Sequence, residues 1–284
     1  MDAIRRFSKP VLRRPRAVMA FEGWNDACEA ATGSVEYLLG QAGISEPFAV
    51  IDPEEFFDFQ VRRPIVSIGD GGTRSLTWPT TRFFAVELPA DERDLVLVIG
   101  EEPSSRWRTY SRHITQVLVE MDVEEAVLLG AFIGQVAHTR PVPVIGVATE
   151  PEMVIRHGLL GSTYEGPTGI VGVLQEACRE VGLPAISLWA ATPHYLAANA
   201  NPRAMLALLG HTAEILHLAP DLTDLETAAE AFDERVAHAM ESSGDLAQYI
   251  EGLEAEPPAT AVNLDPTLAA DLVNEIESFL REQE

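Results

Sequence analysis

The sequence predicts an α/β protein: a three-layer α/β/α sandwich with a mostly parallel central sheet, plus a C-terminal helical extension. Three observations predict it. The runs Leu95-Val96-Leu97-Val98-Ile99 and Ala126-Val127-Leu128-Leu129 are apolar throughout rather than alternating, the pattern of strands buried on both faces of a sheet. Strand-like runs recur in alternation with helical patterns, as crossover connections require. Glycines with polar neighbours follow several of these runs, at the strand-to-helix turns where open α/β sheets place ligands.

The elements follow in order. Ala17-Val18-Met19-Ala20 marks a first strand over 17–21, and a helical pattern fills 26–39. Strands are predicted over 48–51, 73–78 and 82–87, the last two joined by Pro79-Thr80-Thr81 and read as a hairpin. The runs 95–99 and 126–131 are expected side by side at the centre of the sheet, separated in sequence by a helix over 104–121 that Ser104 can cap. Further strands are expected at 142–148 and 185–189, and further helices at 168–181, 202–216 and 222–242. Residues 252–266, with Pro257-Pro258 and Pro266, read as a linker or turn-rich crossing. Beyond it, Leu268, Leu272, Ile276 and Leu280 fall on one stripe of a helix over 267–281. So short a helix is marginal alone in water, so this stripe is expected on the core or on a neighbouring subunit. The division is a core over 15–218 and an acidic helical extension over 219–284.

Composition excludes several function classes. Apolar residues make up 46% of the 284, enough for a substantial core, yet no run approaches the ~20 residues of a membrane helix. The basic stretch 1–16 lacks the apolar centre of a signal peptide, and a cytoplasmic location is expected. A net charge of −24 argues against nucleic-acid binding, which needs clustered Lys and Arg. That charge is uneven: from Pro220 onward, seventeen acidic residues face only Arg235 and Arg281. Lys9 is the sole lysine, which excludes a Schiff-base or P-loop lysine in the core. Cys28 and Cys178 both fall in predicted helices, so neither a disulfide nor a zinc site is expected. No nucleophile elbow, H-E-x-x-H or C-x-x-C pair occurs, and no metal or cofactor is implied.

Five segments gather polar groups at the expected carboxyl ends of strands. In Glu22-Gly23-Trp24-Asn25-Asp26, either Glu22 and Asp26 act as an acid/base pair or Asn25 and Asp26 simply cap the next helix; Glu22 has no comparable structural role. Glu101-Glu102 with Arg106 can bind a hydroxylated or amine-bearing ligand, or the acids can simply complement a helix N-terminus. After Gly130 and Gly134, His138 and Arg140 offer donors to an anion, with an ordinary surface loop as the competing reading. Glu165-Gly166-Pro167-Thr168-Gly169 can cradle an anion at a helix N-terminus, although its spacing is neither the P-loop nor the dinucleotide fingerprint. His194, with Tyr195, closes the last core strand. Glu22, Asn25, Glu101, Thr168 and His194 are expected to share one pocket rim; the competing reading is five separate caps and packing residues.

Four of these segments, with one more, carry a resemblance. Glu22-Gly23-Trp24-Asn25-Asp26-Ala27, Arg62-Arg63-Pro64, His138-Thr139-Arg140-Pro141, Gly166-Pro167-Thr168-Gly169-Ile170, and Ser187-Leu188-Trp189-Ala190 with Pro193-His194-Tyr195 are similar in order and spacing to the proteasome assembly chaperone 2 family, bacterial branch. The likeness covers residues 15–218. It implies the phosphorylase/hydrolase-like sandwich and a non-enzymatic, chaperone-like role in protein interaction or complex assembly, with partners related to the proteasome. Fold analogy implies an alternative, a small polar ligand in a nucleosidase- or phosphorylase-like pocket, and a homo-oligomer that is a trimer or a multiple of one. No catalytic residue set transfers with the resemblance.

Overall fold

A computed structural model describes residues 3–88, 93–197, 200–241 and 244–255. A short strand, β1 (Ile4–Arg6), precedes β2 (Arg16–Glu22), whose residues are all buried except Glu22. Helix α1 (Ala30–Ala42) leads to β3 (Ala49–Ile51), and a separate antiparallel pair follows, β4 (Ile65–Ile68) with β5 (Arg74–Thr77). Next come β6 (Thr81–Val86), β7 (Leu95–Glu101), helix α2 (Trp107–Glu120) and β8 (Glu125–Gly134). The chain continues through β9 (Val144–Ala148), α3 (Pro151–Arg156), β10 (Leu160–Gly161), α4 (Ile170–Glu180) and β11 (Ala185–Pro193). Helices α5 (Pro202–Leu216), α6 (Thr223–Glu241) and α7 (Gly244–Ala255) complete it.

Nine strands form the main sheet in the order β1-β3-β6-β7-β2-β8-β11-β9-β10. The central four, β7-β2-β8-β11, are parallel; β6, β3 and β1 extend the sheet antiparallel on one side, and on the other β9 joins β11 antiparallel while β10 joins β9 parallel. Side chains alternate across it, as the two-residue strand period demands. Ala17, Met19 and Phe21 join Val96, Val98 and Leu128 under α2 and α4, which contribute Tyr110, Ile114 and Leu174. Val18 and Ala20 join Leu97, Ile99 and Leu129 on the other face, under α1 and α5 with Val35, Leu38 and Leu208. The result is a three-layer α/β/α sandwich. Helix α6 adds Leu225 to the second core, and Phe232, Val236 and Ile250 pack with Tyr195 and Leu196 in a smaller third cluster. Among the described residues no helix is long and apolar enough to cross a membrane.

Several expectations need correction. The runs in β7 and β8 are both central, but β2 lies between them and pairs with each. Both-face burial reveals depth in a sheet, not which neighbour a strand takes. The expected hairpin of 73–78 with 82–87 does not form: β5 turns back onto β4, while β6 pairs with β3 and β7. Gly71 and Gly72, both at positive φ, make the tighter reversal, with the Gly69 N–H donating to the Thr73 carbonyl at 2.8 Å. Ser104 does not cap α2, which begins three residues later; its hydroxyl accepts from the Asp58 backbone at 3.1 Å instead. Helix α1 begins at Ala30, after a short 3-10 turn (Ala27–Glu29). The expected linker at 252 gives way to α7, which runs to Ala255, and the predicted helix over 267–281 lies outside the described residues.

Gly130 shows how closely the central strands meet. It is paired in register with Trp189, and a Cβ there would lie 2.6 Å from the indole ring. The ring is held by its Nε1, which donates to Ser187 Oγ at 3.1 Å, so it cannot easily swing aside. Gly130→Ala is expected to cost on the order of 1–3 kcal/mol by overpacking, measured as a lowered urea midpoint with an unchanged slope. An unchanged midpoint would mean that the ring moves freely.

Candidate functional site

The carboxyl ends of β2 and β7 form the natural crevice of this sheet. Helix α1 leaves β2 toward one face, whereas α2 leaves β7 toward the other, and ligands of open α/β sheets bind where connections diverge in this way. Glu22 and Glu101 end these two strands directly opposite each other in the parallel register. Gly23 follows with φ +113°, a conformation that L side chains avoid, and turns the chain past Glu102.

Arg62 lies across the two carboxylates. Its Nε is 2.7 Å from Glu101 Oε2, and its Nη2 is 3.5 Å from Glu22 Oε2. The segment that carries it is anchored by buried Phe56 and Phe57, and the Phe56 carbonyl accepts from the Ser105 backbone at 3.0 Å. Partial burial, then the neighbouring Glu101 charge, push the Glu22 carboxyl above its ordinary value, while Arg62 pulls the other way.

Glu102 performs a second closure. Its Oε1 accepts from Ile170 N at the start of α4 and from Asn25 Nδ2, both at 2.8 Å. An orphan helix N–H and the positive end of the helix dipole thereby receive a carboxylate from the chain itself. Asn25 is fully buried, and its Oδ1 presses against Gly169, where no Cβ would fit. Asp26 caps α1: its Oδ1 accepts from Ala31 N at 2.8 Å and Thr32 N at 3.1 Å, and its Oδ2 from the Thr32 hydroxyl. Burial raises the Asp26 carboxyl above its ordinary value, against the pull of those hydrogen bonds.

The remaining candidates divide. Thr168 and Glu165 are exposed at the entrance to α4, and Arg106 is exposed and pairs with Glu55. His138, Arg140 and His194 belong to a second cluster beyond β8 and β11. The Tyr195 hydroxyl accepts from the His138 backbone at 2.9 Å and lies 2.9 Å from its Nδ1. Thr139 donates to the Glu254 carboxylate, and Arg140 to the Glu254 carbonyl, so this loop holds the end of α7. Burial pushes the His138 imidazole below its ordinary value against the pull of Asp233 and Glu254, and burial likewise lowers His194. Beside this loop is a cavity of about 400 Å³, lined mostly by apolar groups such as Val142, Pro143, Leu159 and Leu253, with His211. Among the described residues no cluster of three or more His, Cys, Asp or Glu is placed to hold a metal ion.

Thus Glu22, Asn25 and Glu101 gather at the β2–β7 crevice, and His194 packs against Tyr195 in the other cluster. Sequence reasoning missed Arg62 and Glu102 as the groups that join the crevice together. Glu102 was visible as the residue after a strand-ending Glu. Nothing local to Arg62 shows that it returns to strands 40 residues away.

Glu102→Ala leaves the Ile170 N–H and the buried Asn25 amide without an acceptor, and should cost about 2–4 kcal/mol in urea unfolding. Glu102→Gln keeps an acceptor oxygen and should cost about 1 kcal/mol. Equal losses in the two variants would refute the capping account. For Asp26 the sign follows from its raised carboxyl: the folded state binds the proton more tightly, so wild-type stability falls as pH rises through the folded value. Asp26→Asn keeps the cap oxygen and removes this slope. Its stability relative to wild type should therefore climb with pH across that window and then level off, which urea midpoints at several pH values will test.

Residues 20–240 match the model of the PAC2 family. Among solved structures, a PAC2 family protein from Streptomyces avermitilis is 46% identical, covering 83% of this chain and 99% of that one, with a TM-score of 0.77. The proteasome-assembly chaperone homologue of Mycobacterium tuberculosis is 41% identical, covering 82% and 99%, with a TM-score of 0.76. The archaeal proteasome activator PbaB of Pyrococcus furiosus shares the fold at 18% identity, covering 84% and 98%, with a TM-score of 0.66. No curated protein matches this chain.

Proposed function

This chain belongs to the PAC2 family, and from that premise we propose that it is a non-enzymatic cytoplasmic protein that binds other proteins during assembly of a complex, with proteasome subunits as its partners. One observation carries the reading: both ligand-binding devices at the strand ends are occupied by the chain itself. Arg62 spends its guanidinium on Glu22 and Glu101, and the α4 N-terminus holds the carboxylate of Glu102. A polar ligand entering there would have to displace an ion pair and a helix cap, each already satisfied. The partner class is supported by the 41% identical chaperone homologue of Mycobacterium tuberculosis.

The test uses the full chain, immobilised and offered purified proteasome α and β subunits of the same organism. Retention with micromolar or tighter affinity, together with faster formation of assembled particles, is the expected result. A parallel thermal-shift screen uses nucleosides, sugars and phosphate. No retention of subunits, or a ligand-induced shift abolished by Glu22→Gln or Glu101→Gln, would overturn the proposal in favour of a small-molecule site.

A further inference from the structure

We propose that the cavity beside α7 is the seat of this chain's own C-terminal segment, filled by the stripe of Leu268, Leu272, Ile276 and Leu280. Such a seat concerns the chain's own packing and stands whether or not the assembly reading does.

The cavity holds about 400 Å³, room for several aliphatic side chains. Its lining comes from three places: Val142 and Pro143 between β8 and β9, Leu159 and Leu160 at the turn from α3 into β10, and Leu253 of α7. The apolar surface does not stop at the rim. Leu160 is 48% exposed, and Ile155, whose carbonyl accepts from the lining residue Gly158 at 3.1 Å, is 80% exposed. Water in such a hollow leaves these side chains hydrated. Aliphatic side chains placed there would bury both surfaces and add dispersion contacts.

The chain itself supplies the occupant. Helix α7 ends at Ala255, two residues after Leu253, so the segment beyond it departs from the cavity's own lining. The first eleven residues of that segment, 256–266, include Pro257, Pro258 and Pro266 and span at most roughly 36–40 Å when extended. The helix expected over 267–281 therefore starts within reach of the cavity. A helix so short persists only on an apolar surface, and its stripe needs one. The tether holds it near this surface at an effective concentration on the order of millimolar, which a second copy at micromolar concentration does not match. Charge agrees with the seat. Asp271 and Glu275 flank the stripe, while Arg156, exposed next to Ile155, has no ion-pair partner among the described residues.

The experiment is hydrogen exchange on the full chain, comparing wild type with Leu272→Asp/Ile276→Asp and with Leu160→Asp. In wild type, amides at 268–281 should exchange on the order of 100-fold more slowly than in an unstructured chain, from burial of two or more of the four aliphatic side chains. This protection should not change on dilution by a factor of about 100, because the tether fixes the effective concentration. The double variant should lose it, and exchange should also quicken along the lining at 142–145 and 158–161. Leu160 is already exposed, so Leu160→Asp spares the core and should release 268–281 in the same way. Unprotected amides at 268–281 in wild type, or protection kept in the double variant, would overturn the proposal. Protection lost on dilution would seat the segment on a neighbouring copy and overturn it as well. Release in the double variant with no change along the lining, or protection kept in Leu160→Asp, would place the seat elsewhere and do the same.

Discussion

Strand β2 is the constraint on which the rest of the molecule depends. It has a pairing strand on each side and a helical layer on each face, and residues 16 to 21 are fully buried. Such a strand can carry polar chemistry only at its ends. At its start the Arg16 guanidinium is buried, yet it donates to the Leu216 carbonyl that ends α5 and to the Arg93 carbonyl at 3.0 Å. A cation at a helix C-terminus meets both an orphan acceptor and the favourable end of the dipole. At the other end, Glu22 emerges beside Glu101, and every later feature of the crevice is arranged around that pair.

The crevice follows the general logic of open α/β sheets but satisfies it internally. Carboxylates from two adjacent strands need a cation, and Arg62 provides one from a loop on a different part of the sheet. The N-terminus of α4 needs an anion, and Glu102 provides it while also orienting Asn25. The arrangement links β2, β7, α4 and the 56–64 segment through charge-assisted contacts, which are shorter and stronger than neutral ones. It also ties the base of the β4–β5 hairpin to the centre of the sheet.

A second linkage joins the core to the acidic C-terminal helices. The loop after β8 presents Thr139 and Arg140 to Glu254, and Tyr195 with Leu196 packs under Phe232 and Val236. Groups that look like free donors in the sequence are here used to hold α7. The acidic helices stay attached through a small apolar cluster, through Leu225 in the second core and through the Arg203–Asp233 ion pair, while acids such as Glu226 and Glu230 remain exposed.

The parallel centre of the fold was legible in the sequence because two-sided burial writes itself into composition: Leu95 to Ile99 and Ala126 to Leu129 admit no polar alternation. Glu22, Asn25 and Glu101 were legible as site candidates for a similar reason, since a polar cluster directly after such a strand must lie at its carboxyl end. Strand neighbours were not legible. Apolarity measures depth, whereas the order β7-β2-β8 is set by which crossover packs on which face. The true partner of β5 was hidden because residues 73–77 suit either of two hairpins, and the glycine turn at 69–72 decided between them. The role of Arg62 was hidden for the simplest reason. Its partners are distant in sequence, and only the folded chain brings one guanidinium between two carboxylates. Local pattern thus determined the layers and the rim on which polar groups gather; tertiary structure alone decided that those groups would satisfy one another, because pairing of charges depends on distances that no sequence interval records.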